Sequence, residues 1–264
     1  MKTRRSRVFL FVACWLLLVV LSPRPVNSQV LGPEFQVNSY TTNIQWAPKV
    51  AADGLGNFVV VWESETQDAG GYGVFGQRFD PSGSPLGAEF QINSYTTGAQ
   101  LFPAVAGDAA GYFVVAWQSN QDGSSYGVVA QVFSPAGVPV GPETQINTFT
   151  TGSQNSPVLA SDGPGNVVVL WTSEGQDGSS DGVFGRFAPA GFPFGAQFQV
   201  NTYTTGNQNK PAVAIGNSGT FVVVWGSHGQ DGSNYGVFGQ RFDALGAAVG
   251  GEFQVNSFTT GGQH

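Results

Sequence analysis

Asn57-Phe58-Val59-Val60-Val61-Trp62 returns as Tyr112-Phe113-Val114-Val115-Ala116-Trp117, as Asn166-Val167-Val168-Val169-Leu170-Trp171 and as Thr220-Phe221-Val222-Val223-Val224-Trp225. The copies are spaced by 54 or 55 residues. A fixed period of this length is the signature of repeat architectures. Each copy is apolar at successive positions rather than alternate ones, so both faces of the strand must be covered. One repeat cannot do this alone. Neighbouring repeats have to pack against each other.

Working outward, Lys49 to Ala52 reads as a short strand of small residues. Asp53-Gly54-Leu55-Gly56 is a tight turn that Asp caps and Gly permits. Phe58 to Trp62 is the second strand. Tyr72 to Phe79 is the third, and Glu89 to Asn93 the fourth, with Phe90 and Ile92 facing in. The four strands grade from small-sided through fully apolar to half polar. That gradient fits a propeller blade whose inner strand meets an axis and whose outer strand meets solvent. The fold expected is all-β: a β-propeller-like array of four four-stranded antiparallel blades, repeating at about 48–93, 103–147, 157–201 and 211–256. The competing folds are a string of separate small β domains, which would leave one face of each valine-rich strand bare, and a β-solenoid.

The phrase Glu34-Phe35-Gln36-Val37-Asn38 supplies a fifth copy of the outer-strand motif, against four copies of the rest. It predicts an extra N-terminal strand of the outer type. It also raises a choice between a ring carrying a spare strand and an arc cut from a longer array. An open arc would expose a blade face and self-associate.

Residues 1–28 read as a secretory signal peptide. Lys2, Arg4, Arg5 and Arg7 precede an apolar run from Val8 to Leu21, short for a membrane span. An uncleaved anchor helix is the competing reading. Residues 29–264 form the repeat domain, with no membrane insertion once the signal is cleaved. Cys14 is the only cysteine and sits inside the signal, so the mature chain forms no disulfide. Five basic and 17 acidic residues follow Gln29, a net formal charge of −12. Such a surface repels phosphate backbones and disfavours nucleic acid as a partner.

The sequence Phe-Val-Val-Val-Trp, then Gln-Asp-Gly-Ser, Tyr-Gly-Val-Phe-Gly-Gln-Arg-Phe-Asp and Glu-Phe-Gln-Val-Asn, resembles the tandem repeats of large bacterial secreted and cell-surface, adhesin-like proteins. The resemblance spans Glu34 to Gln263. It implies an extracytoplasmic location, secreted or at the cell surface, and a multidomain context that is often calcium-dependent. It implies no activity.

Catalytic residues are sparse. The mature chain has two histidines, His228 and His264, and no Ser/His/Asp or metal-binding cluster can be assembled from them. Glycosidase chemistry needs two acids in distinct environments. Most acids here repeat in register, and the unit-specific ones, Glu63, Glu65, Glu174 and Asp181, form no sequence motif. Asp53, Asp108 and Asp162 cap hairpins, and Gly216 takes that place in the fourth unit. Nothing has the spacing of an EF-hand loop, so calcium has no supporting motif and no cofactor is expected.

The loop after the second strand carries the candidate binding residues. These are Gln67 and Asp68, Gln121 and Asp122, Gln176 and Asp177, and Gln230 and Asp231. Tyr72, Tyr126 and Tyr235 stand beside them, with Asp181 in the tyrosine's place in the third unit. Such loops satisfy their own backbone in the plainest reading. In the functional reading their amides, carboxylates and aromatic faces suit a sugar, with repetition supplying avidity. The expectation is a non-catalytic extracellular binding or adhesion module for glycans or cell-surface components, and no enzyme. A structural spacer is the alternative, and a glycoside hydrolase the third reading.

Overall fold

The computed structural model describes residues 33–189 and 193–263. The signal-peptide reading of residues 1–28 therefore lies outside the described residues, as does His264. All strands of the described residues lie in the unit Phe35–His264.

Among the described residues sixteen strands form four sheets, each of four consecutive antiparallel strands. Blade 1 is β1 (Gln45–Ala52), β2 (Phe58–Glu65), β3 (Tyr72–Phe79) and β4 (Phe90–Gln91). Blade 2 is β5 (Gln100–Gly107), β6 (Phe113–Ser119), β7 (Gly127–Phe133) and β8 (Pro139–Gln145). Blade 3 is β9 (Gln154–Ser161), β10 (Val167–Glu174), β11 (Asp181–Ala188) and β12 (Gln197–Gln199). Blade 4 is β13 (Gln208–Ile215), β14 (Phe221–His228), β15 (Tyr235–Phe242) and β16 (Ala248–Gln254). This is the expected propeller-like array.

The valine-rich strands are covered on both faces by their neighbours. Val59, Val61, Val74 and Ile92 of blade 1 pack on Phe113, Val115, Trp117 and Phe133 of blade 2. One blade on, Val114, Ala116, Val128 and Ile146 meet Val167, Val169 and Trp171. Val168, Leu170, Val183 and Val200 then meet Phe221, Val223, Trp225 and Phe242. Odd and even positions of one strand thus serve two different interfaces, which explains the unbroken apolar run. Paired phenylalanines close one end of these layers: Phe113 stacks on Phe133 at 5.0 Å and Phe221 on Phe242 at 4.8 Å.

No core cluster among the described residues joins blade 4 back to blade 1. On the far face of blade 4, Val222, Val224 and Val237 are only half-buried and Val255 is exposed. The near face of blade 1 is partly covered by the fifth copy of the outer-strand phrase. Phe35 lies 5.3 Å from Phe79, much as Phe90 lies 5.8 Å from Phe133. The Ser39 backbone donates to Glu89 as that of Ser94 does to Glu143. The expected extra N-terminal strand does not form, because residues 33–38 carry no strand. Among the described residues no third strand precedes this phrase, so its backbone has no ladder to join.

The first strands are longer than the sequence suggested. Each contains a bulge before a proline, with Ala47, Phe102, Ser156 and Lys210 at φ of 51–53°. Left-handed backbone at such residues costs about 1–2 kcal/mol. The bulge breaks the apolar pattern that would have announced the full strand. The hairpin turns behave as read. Asp53 Oδ1 accepts from the amides of Leu55 and Asn57, and Asp108 repeats this with Ala110 and Tyr112.

Candidate active site

The loop after each second strand meets the Thr-Thr-Gly connection that follows the outer strand. Gly70 and Gly71 lie against the backbone of Thr96 and Gly98, so close at Gly70 that a Cβ there would strike the Thr96 carbonyl. All candidate binding residues of these loops therefore share one end of the array. Much of their hydrogen-bonding capacity is used locally. Asp68 accepts from the Gly70 amide, and Asp122, Asp177 and Asp231 from those of Ser124, Ser179 and Ser233. Gln67 donates to Glu89 and Gln230 to Glu252. Gln121 and Gln176 are half-buried at the same station, as are Tyr72, Tyr126 and Tyr235. The structure brings these residues to one rim but into four separate blades.

One blade departs from the pattern. Glu174 closes β10 and Asp181 opens β11, and the two are direct cross-strand partners. The corresponding pairs are Glu65 with Tyr72 in blade 1 and His228 with Tyr235 in blade 4. A carboxylate thus stands where the other blades place a tyrosine ring, opposite a second carboxylate. Directly opposed residues in an antiparallel pair hold their Cβ atoms about 4.5–5.5 Å apart.

The two acids have different surroundings. Asp181 is half-buried, while Glu174 is exposed. Burial pushes the Asp181 carboxyl above the usual aspartate range. A bond from the Asn209 side chain opposes this, and the charges of Glu174 and Asp177 add to the rise. The Asp181 amide donates to Asn207 Oδ1 at 3.3 Å, and Asn207 Nδ2 donates to the Tyr235 hydroxyl at 3.3 Å. Glu174 Oε2 accepts from the Ser153 amide at 3.2 Å. Blade 4 thereby fixes Asp181, while the connection into β9 fixes Glu174. The His228 ring meets that of Tyr235 edge-on at 5.2 Å, on the same rim.

Glu63 is the other acid whose carboxyl is shifted upward. It is fully buried, and burial pushes its pKa up against bonds from the Phe102 amide and the Trp46 indole. Both oxygens are occupied, Oε1 by Phe102 and Oε2 by Trp46 Nε1. Glu63 therefore organises its neighbours and presents no free oxygen.

Among the described residues no group of three or more His, Cys, Asp or Glu side chains gathers as a metal site. No helix of the described residues is long and apolar enough to cross a membrane.

The fold has relatives among solved enzymes. An α-L-arabinanase from Penicillium chrysogenum, solved with arabinobiose, superposes with a TM-score of 0.53 at 14% identity, over 79% of this chain and 66% of that one. A Hadza microbial sialidase, Hz136, gives 0.54 at 12% identity, over 82% of this chain and 47% of the sialidase, about half its length. An endo-arabinase from Bacteroides thetaiotaomicron gives 0.47 at 16% identity over 80% and 81%. No family model matches the chain, and no curated protein matches it in sequence.

These findings correct two expectations. The chain was read as a non-catalytic binding or adhesion module and as no enzyme. Its propeller-like fold is instead one shared with glycoside-directed enzymes, an arabinanase among them. Glu174 and Asp181 form no motif in the sequence, where seven positions separate them. Their pairing exists only in the register of the β10–β11 hairpin. The available signal was that both stand at one hairpin where the third unit departs from the tyrosine of the others.

Proposed function

We propose that the protein is a glycoside hydrolase, with Asp181 as general acid and Glu174 as the second carboxylate. The observation that carries this reading is the cross-strand pairing of these two acids in unlike surroundings. Glycoside cleavage needs one carboxyl that keeps its proton to give to the leaving oxygen, and one that is ionised. Burial and neighbouring negative charge supply the first at Asp181. Glu174, exposed and directly opposite, is the second carboxylate.

Carboxyl spacing decides the stereochemical course. A double-displacement enzyme holds its carboxyl groups about 5–5.5 Å apart, whereas an inverting one leaves about 6.5–9.5 Å for a water. Glu174 and Asp181 face each other directly across the hairpin, and we assign them the closer, retaining arrangement. Glu174 attacks the anomeric carbon as Asp181 protonates the departing oxygen. A covalent glycosyl-enzyme forms, and Asp181, now ionised, draws a proton from the water that releases it. Asn209 and Asn207 hold Asp181 in place through both half-reactions. The arabinanase likeness makes α-L-arabinofuranosides the first substrates to try. The basic, then apolar leader and the acidic, cysteine-free remainder support action outside the cytoplasm.

Hydrolysis of 4-nitrophenyl glycosides, the α-L-arabinofuranoside first, and of debranched arabinan tests the reading. Turnover is expected, and its abolition in Asp181→Asn. Absence of hydrolysis across a full panel of glycosides and polysaccharides contradicts it.

A further inference from the structure

Trp46 is the one described tryptophan that faces solvent. It is 52% exposed, whereas Trp62, Trp117, Trp171 and Trp225 are each at 3% or less. Phe102, itself 44% exposed, lies beside it with ring centroids 6.5 Å apart and planes inclined by 49°. A scattered exposed apolar side chain needs no explanation. Here two aromatic rings are exposed together, and the repeat does not require either. Leu101, Asn155 and Asn209 stand where Trp46 stands, while Ala47, Ser156 and Lys210 stand where Phe102 stands.

A third residue departs from the repeat with them. Glu63 occupies the position of Gln118, Thr172 and Gly226. Its carboxylate lies buried beneath the two aromatic residues and accepts the Trp46 indole N–H on one oxygen and the Phe102 amide on the other. The Phe102 amide belongs to the left-handed bulge residue, so the same carboxylate holds a strained backbone in place. Gln118 makes the weaker equivalent bond, to the Ser156 amide at 3.3 Å, where no aromatic pair exists. Tying down the indole N–H leaves the ring face as what Trp46 offers to solvent.

We propose that Trp46 and Phe102, positioned by Glu63, form a stacking subsite for a sugar ring of the substrate at a distance from the bond that is cleaved. A furanose or pyranose presents a face of C–H groups, which an aromatic π-face attracts. Trp46 opens β1 and pairs with Glu63 near the end of β2; Glu174 and Asp181 lie where β10 ends and β11 begins. Inner strands start at the end of the array where second strands finish, so the rings and the acid pair share one end. The subsite rests on the glycoside hydrolase reading and names where a longer substrate is held.

Because Trp46 alone among the described tryptophans is solvent-facing, acrylamide quenching of tryptophan fluorescence in a chain starting at Gln29 reports on it directly. Arabinobiose, xylobiose and cellobiose would be titrated into the mature protein and into Glu174→Gln. At least one disaccharide is expected to shield Trp46 from acrylamide in both proteins. Phe102→Ala should weaken that shielding at least tenfold with thermal unfolding little changed. Trp46→Ala should raise KM for an oligosaccharide while leaving kcat/KM for a 4-nitrophenyl monoglycoside unaltered. Glu63→Gln should lower affinity in the same direction, a split that a merely structural loss would not produce. If the protein hydrolyses oligosaccharides whose saturating presence leaves Trp46 fully quenchable, the subsite is wrong and the catalytic reading stands. If Trp46 is shielded but Glu174→Gln hydrolyses normally, the catalytic assignment is wrong and the subsite stands. Neither shielding nor hydrolysis with any glycan overturns both.

Discussion

Asp181 and Asn209 belong to different blades, and a side-chain hydrogen bond joins them. The bond reaches from the inner strand of blade 4 to the third strand of blade 3. It occurs where Asp181 replaces the tyrosine found at the matching position of the other blades. The boundary between blades 3 and 4 is thus a polar junction holding one half-buried acid.

That junction sets a pH dependence. Asp181 acts as an acid only while protonated, and its carboxyl sits above the usual aspartate range. The kcat/KM profile should therefore fall on the alkaline side as Asp181 ionises in the free enzyme. In Asp181→Asn that limb disappears along with most of the activity, as read from rates across about pH 3–8.

Stability should carry a related signature from Glu63. A folded-state pKa raised above the unfolded value means that the folded chain holds the proton more tightly. The resulting stabilisation is full below the unfolded pKa and is lost as pH rises through the folded one. Melting the wild type and Glu63→Gln between about pH 4 and pH 8 should show the difference in Tm moving in favour of the variant as pH rises. A difference independent of pH would mean that Glu63 has its ordinary pKa.

The one-way packing of the blades can be read from a matched pair of substitutions. Val61 is fully buried between blades 1 and 2, whereas Val224 is half-buried on the far face of blade 4. Val61→Ala should cost about 2–3 kcal/mol and Val224→Ala less than about 1 kcal/mol in denaturant unfolding. Equal costs would mean that something covers the blade 4 face in solution.

The candidate binding loops also make a definite prediction. Asp122 caps its own loop through the Ser124 amide. Asp122→Ala should lower stability by about 1 kcal/mol, and glycoside hydrolysis should persist. Loss of activity in a fully folded variant would place that loop in the reaction.

How much was legible follows from where each signal is stored. The third strand, Tyr72–Phe79, was read with its observed bounds, because its phenylalanines alternate and turn residues flank it. The second was cut short at Trp62, since Glu63 and Ser64 are polar; both are nonetheless buried, and Glu63 bonds to the inner strand and the next blade. The first was shortened by the residue-proline bulge, a backbone feature without side-chain pattern. The fourth was over-read in blade 1, where only Phe90–Gln91 pairs. The acid pair and the Trp46–Phe102–Glu63 group were invisible for a common reason. Repetition directs attention to what recurs, and these residues matter where they break the repeat at positions that only strand register and blade packing bring together.

The account stands on Glu174 and Asp181 acting as a pair. The most direct measurement is single-turnover and steady-state hydrolysis of a 4-nitrophenyl glycoside by wild type, Asp181→Asn and Glu174→Gln, with folding checked by near-ultraviolet circular dichroism. Both variants should stay folded and lose about 10²–10⁴-fold in kcat. Added azide, which needs no general base, should rescue Asp181→Asn with a glycosyl azide of retained configuration, whereas any azide product from Glu174→Gln should have the inverted configuration. Full activity in either folded variant would contradict the assignment.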